Sequence, residues 1–407
     1  MVVTISYGDI KLRLELPDPV DFDEFECLAG EDAIEYDSFV SQLKQAEIDR
    51  FNVYLADLFI LNDAFRPTPT STILEWLHAG GKLSPEARFL ISTGAHARPT
   101  EAHLKKILGA LYGELKDRTL VHDAGDRENL VEVGREAGNQ AVSVNRYFLE
   151  AKRVVVIGSV EPHYFAGFSG GRKSIFPGLC DYETIVRNHN RAVSFDAAPM
   201  KLEGNPVDEH LQSLMRLIPA GKILSIQAVG GSGGQIRGIF CGTLESTFQR
   251  AVDYARKIYG LKARHEYDLI LAEVRPPLDS NLYQLQKSLE NCQQAIADGG
   301  TIILFSPCGG GVGSESFYGL ADRWQPGVAL DDRAGDFFGI HKLHRTKVIG
   351  GRINVFLYSE LPPGVPEKVY FKSAAKPQEI VYNIASNKKN PRVALVHDAG
   401  HVVLTKE

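Results

Sequence analysis

Short unbroken apolar runs alternate along this chain with stretches in which apolar residues recur every three or four positions. Leu58-Phe59-Ile60-Leu61, Phe89-Leu90-Ile91-Ser92, Val154-Val155-Val156-Ile157-Gly158 and Ile223-Leu224-Ser225-Ile226 belong to the first kind. Such runs suit strands of a sheet covered on both faces. Between Leu244 and Tyr259 the positions Phe248, Ala251, Val252, Ala255 and Ile258 mark one helix face, and Gly260 is a candidate cap. A further helix is expected over residues 101–111. The alternation predicts an α/β fold. The start, Met1-Val2-Val3-Thr4-Ile5-Ser6-Tyr7, alternates like a strand.

A second α/β block begins at Leu269-Ile270-Leu271, with a helix expected over 282–297 and a strand at Thr301-Ile302-Ile303-Leu304-Phe305. The polar stretch Ala263-Arg264-His265-Glu266 marks a boundary. Val393-Ala394-Leu395-Val396 and Val402-Val403-Leu404 read as a hairpin returning to the first block. The expectation is two α/β domains, with residues 1–264 and about 391–407 in the first, 265–390 in the second, and the active site in the cleft between them. A chain of 407 residues is long enough for two cores.

Composition narrows the function. A net charge of -6 argues against tracking a phosphate backbone, so no nucleic-acid partner is expected. No run reaches the roughly 18 apolar residues of a membrane span, so no membrane is expected. The cysteines, Cys27, Cys180, Cys241, Cys292 and Cys308, are scattered and odd in number. They suggest neither a disulfide framework nor a cysteine-zinc site, and a reducing cytoplasm is the expected compartment. Sequence gives no oligomeric state.

Polar clusters follow the apolar runs at Asp63–Arg66, His96–Pro99, His163–Lys173 and Gln284–Lys287. In open α/β sheets ligands bind beyond the carboxyl ends of strands, so these clusters are candidates for one rim. The densest is Glu161-Pro162-His163-Tyr164-Phe165-Ala166-Gly167-Phe168-Ser169-Gly170-Gly171-Arg172-Lys173-Ser174. From the residues alone it admits three readings. It could cradle phosphate, although Arg172 stands where a Walker loop needs glycine. It could share a zinc ion through His163 and His189, although the spacing fits no compact zinc motif. It could be a glycine-rich turn with an incidental lysine. Arg66 sits in a proline-flanked loop, a rigid mount for a bidentate donor to phosphate or carboxylate.

This segment resembles the signature of the nickel-pincer-nucleotide-dependent lactate racemase family. The resemblance extends through Asp63-Ala64-Phe65-Arg66-Pro67-Thr68-Pro69, Thr93-Gly94-Ala95-His96, Asn188-His189 and Asp279-Ser280-Asn281-Leu282-Tyr283-Gln284-Leu285-Gln286-Lys287. Residues 309–318 and 393–404 also fit in order. The resemblance implies a nickel pincer nucleotide, a pyridinium mononucleotide holding Ni(II), attached at Lys173 and supplied by separate cofactor-biosynthesis enzymes. It implies His189 as the nickel ligand, which suits a soft, tetragonal donor set. It implies His96 and His163 as the acid/base pair, Asp63, Ala64, Phe65 and Arg66 as the cofactor-binding stretch, and Gln284 and Lys287 as substrate contacts.

The implied activity is racemisation or epimerisation of a small 2-hydroxy acid by reversible hydride transfer, with two histidines exchanging the hydroxyl proton. Gln284 and Lys287 are three apart on one helix face, near a helix N-terminus that favours an anion. Phe165, facing the cofactor, and Tyr283, facing the substrate, are candidate pocket walls or ordinary core aromatics. Glu315 is a candidate second-domain contact or a helix-start carboxylate. Ala64 and Phe65 replace the histidine and threonine of lactate racemase. That loss of two polar groups favours a substrate other than lactate: malate, 2-hydroxyglutarate, phenyllactate or an aldonic acid. The alternative from another class is a non-catalytic nucleotide- or anion-binding protein.

Overall fold

The computed structural model describes residues 1–27, 33–230, 235–324 and 339–406. Two six-stranded sheets organise them. The first runs, in spatial order, Ile236–Gly242, Ile223–Gly230, Val154–Ser159, Leu58–Asn62, Arg88–Ser92 and Thr119–Val121. All neighbours are parallel except the first pair. Along its strands Phe59, Leu61, Phe89, Ile91, Val155 and Ile157 enter one core layer, while Leu58, Ile60, Leu90, Val154 and Val156 enter the other. Burial on both faces is what makes these strands unbroken apolar runs. The Gly-Ser-Gly-Gly stretch at 231–234, glycine-rich like a turn, lies outside the described residues.

The second sheet runs Lys372–Ser373, Asn354–Tyr358, Ile296–Phe305, Tyr267–Glu273, Arg392–Val396 and Asp21–Phe25, parallel throughout. The antiparallel hairpin Val2–Tyr7/Ile10–Glu15 packs Val3, Ile5, Tyr7 and Leu14 against Leu269, Leu271, Ile303 and Phe305.

These pairings revise the boundaries expected from sequence. Residues 21–25 and 392–396 are strands of the second sheet, and the 2–15 hairpin packs on it, not on the first. Asp-Phe-Asp-Glu-Phe at 21–25 is an edge strand, half-exposed, so no apolar run announces it. The expected terminal hairpin does not form, because Val403–Lys406 pairs in parallel with Gly260–Ala263 instead. Gly260 follows the Leu244–Tyr259 helix but opens that strand with φ -88°, so it is no left-handed cap. The helix expected over 101–111 ends at Leu108 and tightens into a 3₁₀ turn. The helix expected over 282–297 ends at Cys292, and the strand begins at Ile296.

Chain order locates the crevices. In the first sheet the chain winds outward from Leu58–Asn62 to Thr119–Val121, then restarts at Val154–Ser159 and winds the other way. In the second it winds outward from Tyr267–Glu273 and restarts at Arg392–Val396. At such switch points the loops part and leave a ligand crevice.

The domains meet along the Ile340–Arg352 helix, which buries His341, Lys342 and Arg345 completely. Arg345 pairs with Glu290 through Nε and Nη2 at 2.6 and 2.7 Å. Its Nη1 donates to the carbonyls of Ala192 and Ser194 in the first domain at 3.2 and 2.9 Å. Among the described residues no helix is long and apolar enough to cross a membrane.

Candidate active site

Two loops part at the first switch point, one after Asn62 and one after Ser159. Thr68 ties them together: its hydroxyl accepts from Asn62 Nδ2 and shares a hydrogen bond with Ser159 Oγ, both at 2.8 Å. In the first loop, Asp63 Oδ1 accepts from the Phe65 amide at 3.1 Å, which shapes the turn that carries Arg66. Asp63 Oδ2 lies 2.5 Å from His96 Nδ1. His96 comes from the loop after the adjacent Arg88–Ser92 strand.

The second loop folds Pro162-His163 back on Gly167-Phe168. Gly167 has φ +75°, and a Cβ there would lie 2.2 Å from the Lys201 carbonyl oxygen, so only glycine makes this return. The turn Gly171–Ser174 then separates two cations. Arg172 pairs with Asp208 and stacks on Phe248 at 4.2 Å. Lys173 lines the cleft with its Nζ 5.3 Å from the Phe165 ring centre. His189 sits near the end of the Tyr182–Asn190 helix, whose start Asp181 caps through Thr184 N at 2.8 Å.

The cleft has two adjoining parts. Asp63, Arg66, His96, His163, Lys173 and His189 line the first. Arg66 and His163 also line the second, where they meet Lys287 and His401 of the second domain. Phe165 is buried, edge-on to His163 at 4.5 Å and to His189 at 5.1 Å between ring centres.

Protonation follows from this packing. Lys173 has no ion pair or hydrogen bond to its amine among the described residues. Burial, with the charges of Arg66, Arg172 and Lys287, holds its pKa well below the usual lysine range. Burial, then the charges of Lys173, Arg66 and Lys287, hold His163 well below 6.5, and burial with Lys173 nearby takes His189 down to about 3. Burial and Arg66 bring Lys287 down to about 7, against the pull of Glu161 and Asp63. The ring nitrogens are assigned by their partners. His189 Nδ1 donates to the Ile185 carbonyl at 2.9 Å, which places the lone pair on Nε2. His163 Nδ1 accepts from Ala166 N–H at 3.3 Å. Asp63 holds the proton on His96 Nδ1. Nε2 is thus the atom left for substrate in both rings, as a lone pair in His96 and as an N–H in His163.

The remaining candidates are placed differently. Ala64 accepts a hydrogen bond from Lys106 Nζ on its carbonyl at 3.3 Å. Phe65 is 48% exposed and lies edge-on to His96 at 5.3 Å, a partial cover for that imidazole. Lys287 reaches the cleft, whereas Gln284, three residues earlier, lines neither part of it. Tyr283 packs against Phe317 and beneath Lys342, at the domain seam. Glu315 sits in the first turn of the Glu315–Arg323 helix, behind the Ser314 cap.

The phosphate-loop reading fails on geometry. The glycines lead into a four-residue 3₁₀ turn, not a helix N-terminus, and the Gly171 amide is engaged by Gln227 at 2.9 Å. Nor do three histidine, cysteine, aspartate or glutamate side chains converge on a metal position among the described residues. Sequence reasoning missed the pairing of Asp63 with His96. It also missed Tyr164–His341 (3.0 Å between Oη and Nε2) and the His401–Asp398 pair. Asp63 at a strand end offered a signal. His341 and Lys342 did not, since charged residues on a helix ordinarily mark its solvent face.

Comparison with known proteins agrees with this architecture. Residues 56–200 match the lactate racemase N-terminal domain and residues 267–333 the lactate racemase C-terminal domain. A lactate racemase of Thermoanaerobacterium thermosaccharolyticum is 30% identical over 342 residues, 79% of this chain and 77% of that one. A lactate racemase of Lactiplantibacillus plantarum is 30% identical over 283 residues, 67% of this chain and 65% of that one. Among solved structures, the lactate racemase apoprotein of T. thermosaccharolyticum superposes over the whole of both chains with a TM-score of 0.82 at 23% identity. A Thermotoga maritima protein superposes over 93% of this chain and all of its own with a TM-score of 0.68 at 14% identity. Both family domains are present in order and the N-terminal match spans the cleft loops, so this chain belongs to the lactate racemase family.

Proposed function

We propose that this chain racemises or epimerises a small 2-hydroxy acid, using a nickel pincer nucleotide delivered by separate biosynthesis enzymes. The observation that carries the reading is the meeting of His96, His163, Lys173 and His189 around one cleft at a switch point.

The residues present fit such a group. A buried amine kept neutral is a nucleophile suited to a covalent tether, and Lys173 meets that description. His189, with Nδ1 donating to Ile185, offers Nε2 to a metal. With no three protein donors converging among the described residues, the other donors would come from the bound group itself. When bound, that group supplies a site that accepts a hydride from the substrate carbon and returns it.

The chain's own part is binding and proton handling. Arg66 and Lys287, which both line the cleft, would hold the substrate carboxylate. Asp63 fixes the His96 ring and stabilises its imidazolium when Nε2 takes the hydroxyl proton. His163 serves the opposite enantiomer, whose hydroxyl points elsewhere. Its Nδ1 accepts from Ala166, so its ring proton sits on Nε2; giving up the Ala166 contact lets that proton pass to Nδ1 and frees Nε2 to take the hydroxyl proton. The buried seam of Tyr164, His341 and Lys342 shields the reacting centre from water. Phe65, beside His96, puts an apolar face where a polar pair would suit lactate, which favours another 2-hydroxy acid.

The test is maturation with the cofactor-biosynthesis enzymes. Intact mass should show an adduct at Lys173, metal analysis should show nickel, and chiral chromatography should show racemisation. Substrate deuterated at C2 should keep its label in ordinary water. Absence of adduct, nickel and turnover would leave a non-catalytic binder of nucleotides or anions.

A further inference from the structure

The second part of the cleft holds more polar groups than the proposed chemistry uses. It lies between the switch points of the two sheets, where the loop after Tyr267–Glu273 and the loop after Arg392–Val396 meet the His163 loop. Arg66 and Lys287 suffice for one carboxylate. Three groups remain. Glu161 is 8% exposed, and its carboxylate has no ion pair or hydrogen bond among the described residues. Asn291 is 2% exposed; its Nδ2 donates to the carbonyls of Ala399 and Gly400, while its Oδ1 is buried without a donor among the described residues. His401 is held by Asp398, with Nδ1 3.0 Å from both carboxylate oxygens. Its Nε2 therefore points away from Asp398.

The chemistry of these groups selects what fits beside them. A methyl group would leave desolvated donors and acceptors unpaired. A second carboxylate would be pressed against Glu161. A hydroxyl meets both demands: Asp398 holds His401 as an imidazolium with both nitrogens protonated, so the hydroxyl's lone pair can accept from Nε2–H while its O–H donates to Glu161 or Asn291 Oδ1. We infer that this pocket is a subsite for a hydroxylated side chain of the 2-hydroxy acid, with His401 as the specificity-determining donor. The inference rests on the racemase reading above and names the substrate class within it.

The experiment compares three acids on the matured enzyme: lactate, malate and 2,3-dihydroxypropanoate, which is lactate plus one hydroxyl. Calorimetric binding of each acid is measured alongside turnover. The dihydroxy acid should lead lactate in kcat/KM and in affinity by about tenfold or more, because a site built to bind a hydroxyl rejects the analogue lacking it. His401→Leu should collapse that ratio toward one, and His401→Gln, which keeps a donor, should restore part of it. Circular dichroism of both variants checks folding, and a misfolded His401→Leu variant leaves the His401→Gln ratio to decide. Turnover with equal preference for lactate, or a ratio that ignores residue 401, overturns the subsite alone. Preference for malate also overturns it. Turnover of none of the acids overturns the racemase reading, while the binding ratios still judge the subsite.

Discussion

Asp63 Oδ2 lies 2.5 Å from His96 Nδ1, and this carboxylate decides which nitrogen of the imidazole faces the substrate. Asp63→Asn removes the charge that stabilises the imidazolium and lets the side-chain amide donate to Nδ1, which would move the ring proton to Nε2. Turnover should fall on the order of 10²–10⁴-fold, the scale seen when an aspartate behind a catalytic histidine is so changed. Mass spectrometry should still find the Lys173 adduct. Undiminished kcat in the Asp63→Asn variant would remove the pair from the mechanism.

Lys173 is the one cation of its loop turned into the cleft; Arg172 beside it is held by Asp208. Lys173→Arg keeps a long cationic side chain but cannot deprotonate or form the tether. The variant should fold, show no mass increase after maturation and show no racemisation. A mass increase mapped to any other residue would relocate the attachment point.

Much of this was legible in the chain, and the reasons are physical. Strands such as Leu58–Asn62 and Val154–Ser159 are covered on both faces, so burial is written as uninterrupted apolar residues. The rim residues His96, His163 and Lys173 follow such strands directly. Asp21–Phe25 was illegible because an edge strand has little to bury. His341, Lys342 and Arg345 were illegible for a different reason. These polar side chains are buried only because tertiary packing supplies Tyr164, Glu290 and the carbonyls of Ala192 and Ser194, and no local pattern encodes that. Gln284 shows the converse. Helical spacing put it with Lys287, yet only Lys287 reaches the cleft.

Arg345 and Glu290 form an ion pair with both side chains 0% exposed. Arg345→Met should cost about 3–5 kcal/mol, since it strands a buried carboxylate and frees two carbonyls of the His189 side of the seam. Arg345→Met with Glu290→Leu should cost less than the single change, because the uncompensated charge is gone. Urea unfolding of the three proteins measures both. A double variant no better than the single would mean that the contacts to Ala192 and Ser194 outweigh the charge pair.

His401 carries its own pH signature. Burial works against its charge, but Asp398 and then Glu161 outweigh burial and lift its pKa from 6.5 to about 9. A group with a raised folded pKa stabilises fully below its unfolded value and loses that contribution as pH climbs through the folded one. The window is therefore about pH 6.5 to 9, and the amount at stake is about 3 kcal/mol at most. Lys287 acts in the opposite sense. Its folded pKa is brought down to about 7, so it costs stability while the unfolded chain is protonated, and that cost is relieved as pH rises. His189, lowered to about 3, costs stability below about pH 6.5 in the same way. Total stability mixes these terms, so the diagnostic is the difference between wild type and His401→Gln. By urea unfolding that difference should be largest and flat below pH 6.5 and should shrink steadily toward pH 9. A difference that stays constant across the range would mean that Asp398 does not hold His401 as an imidazolium, and the donor proposed for the hydroxyl subsite would lose its charge.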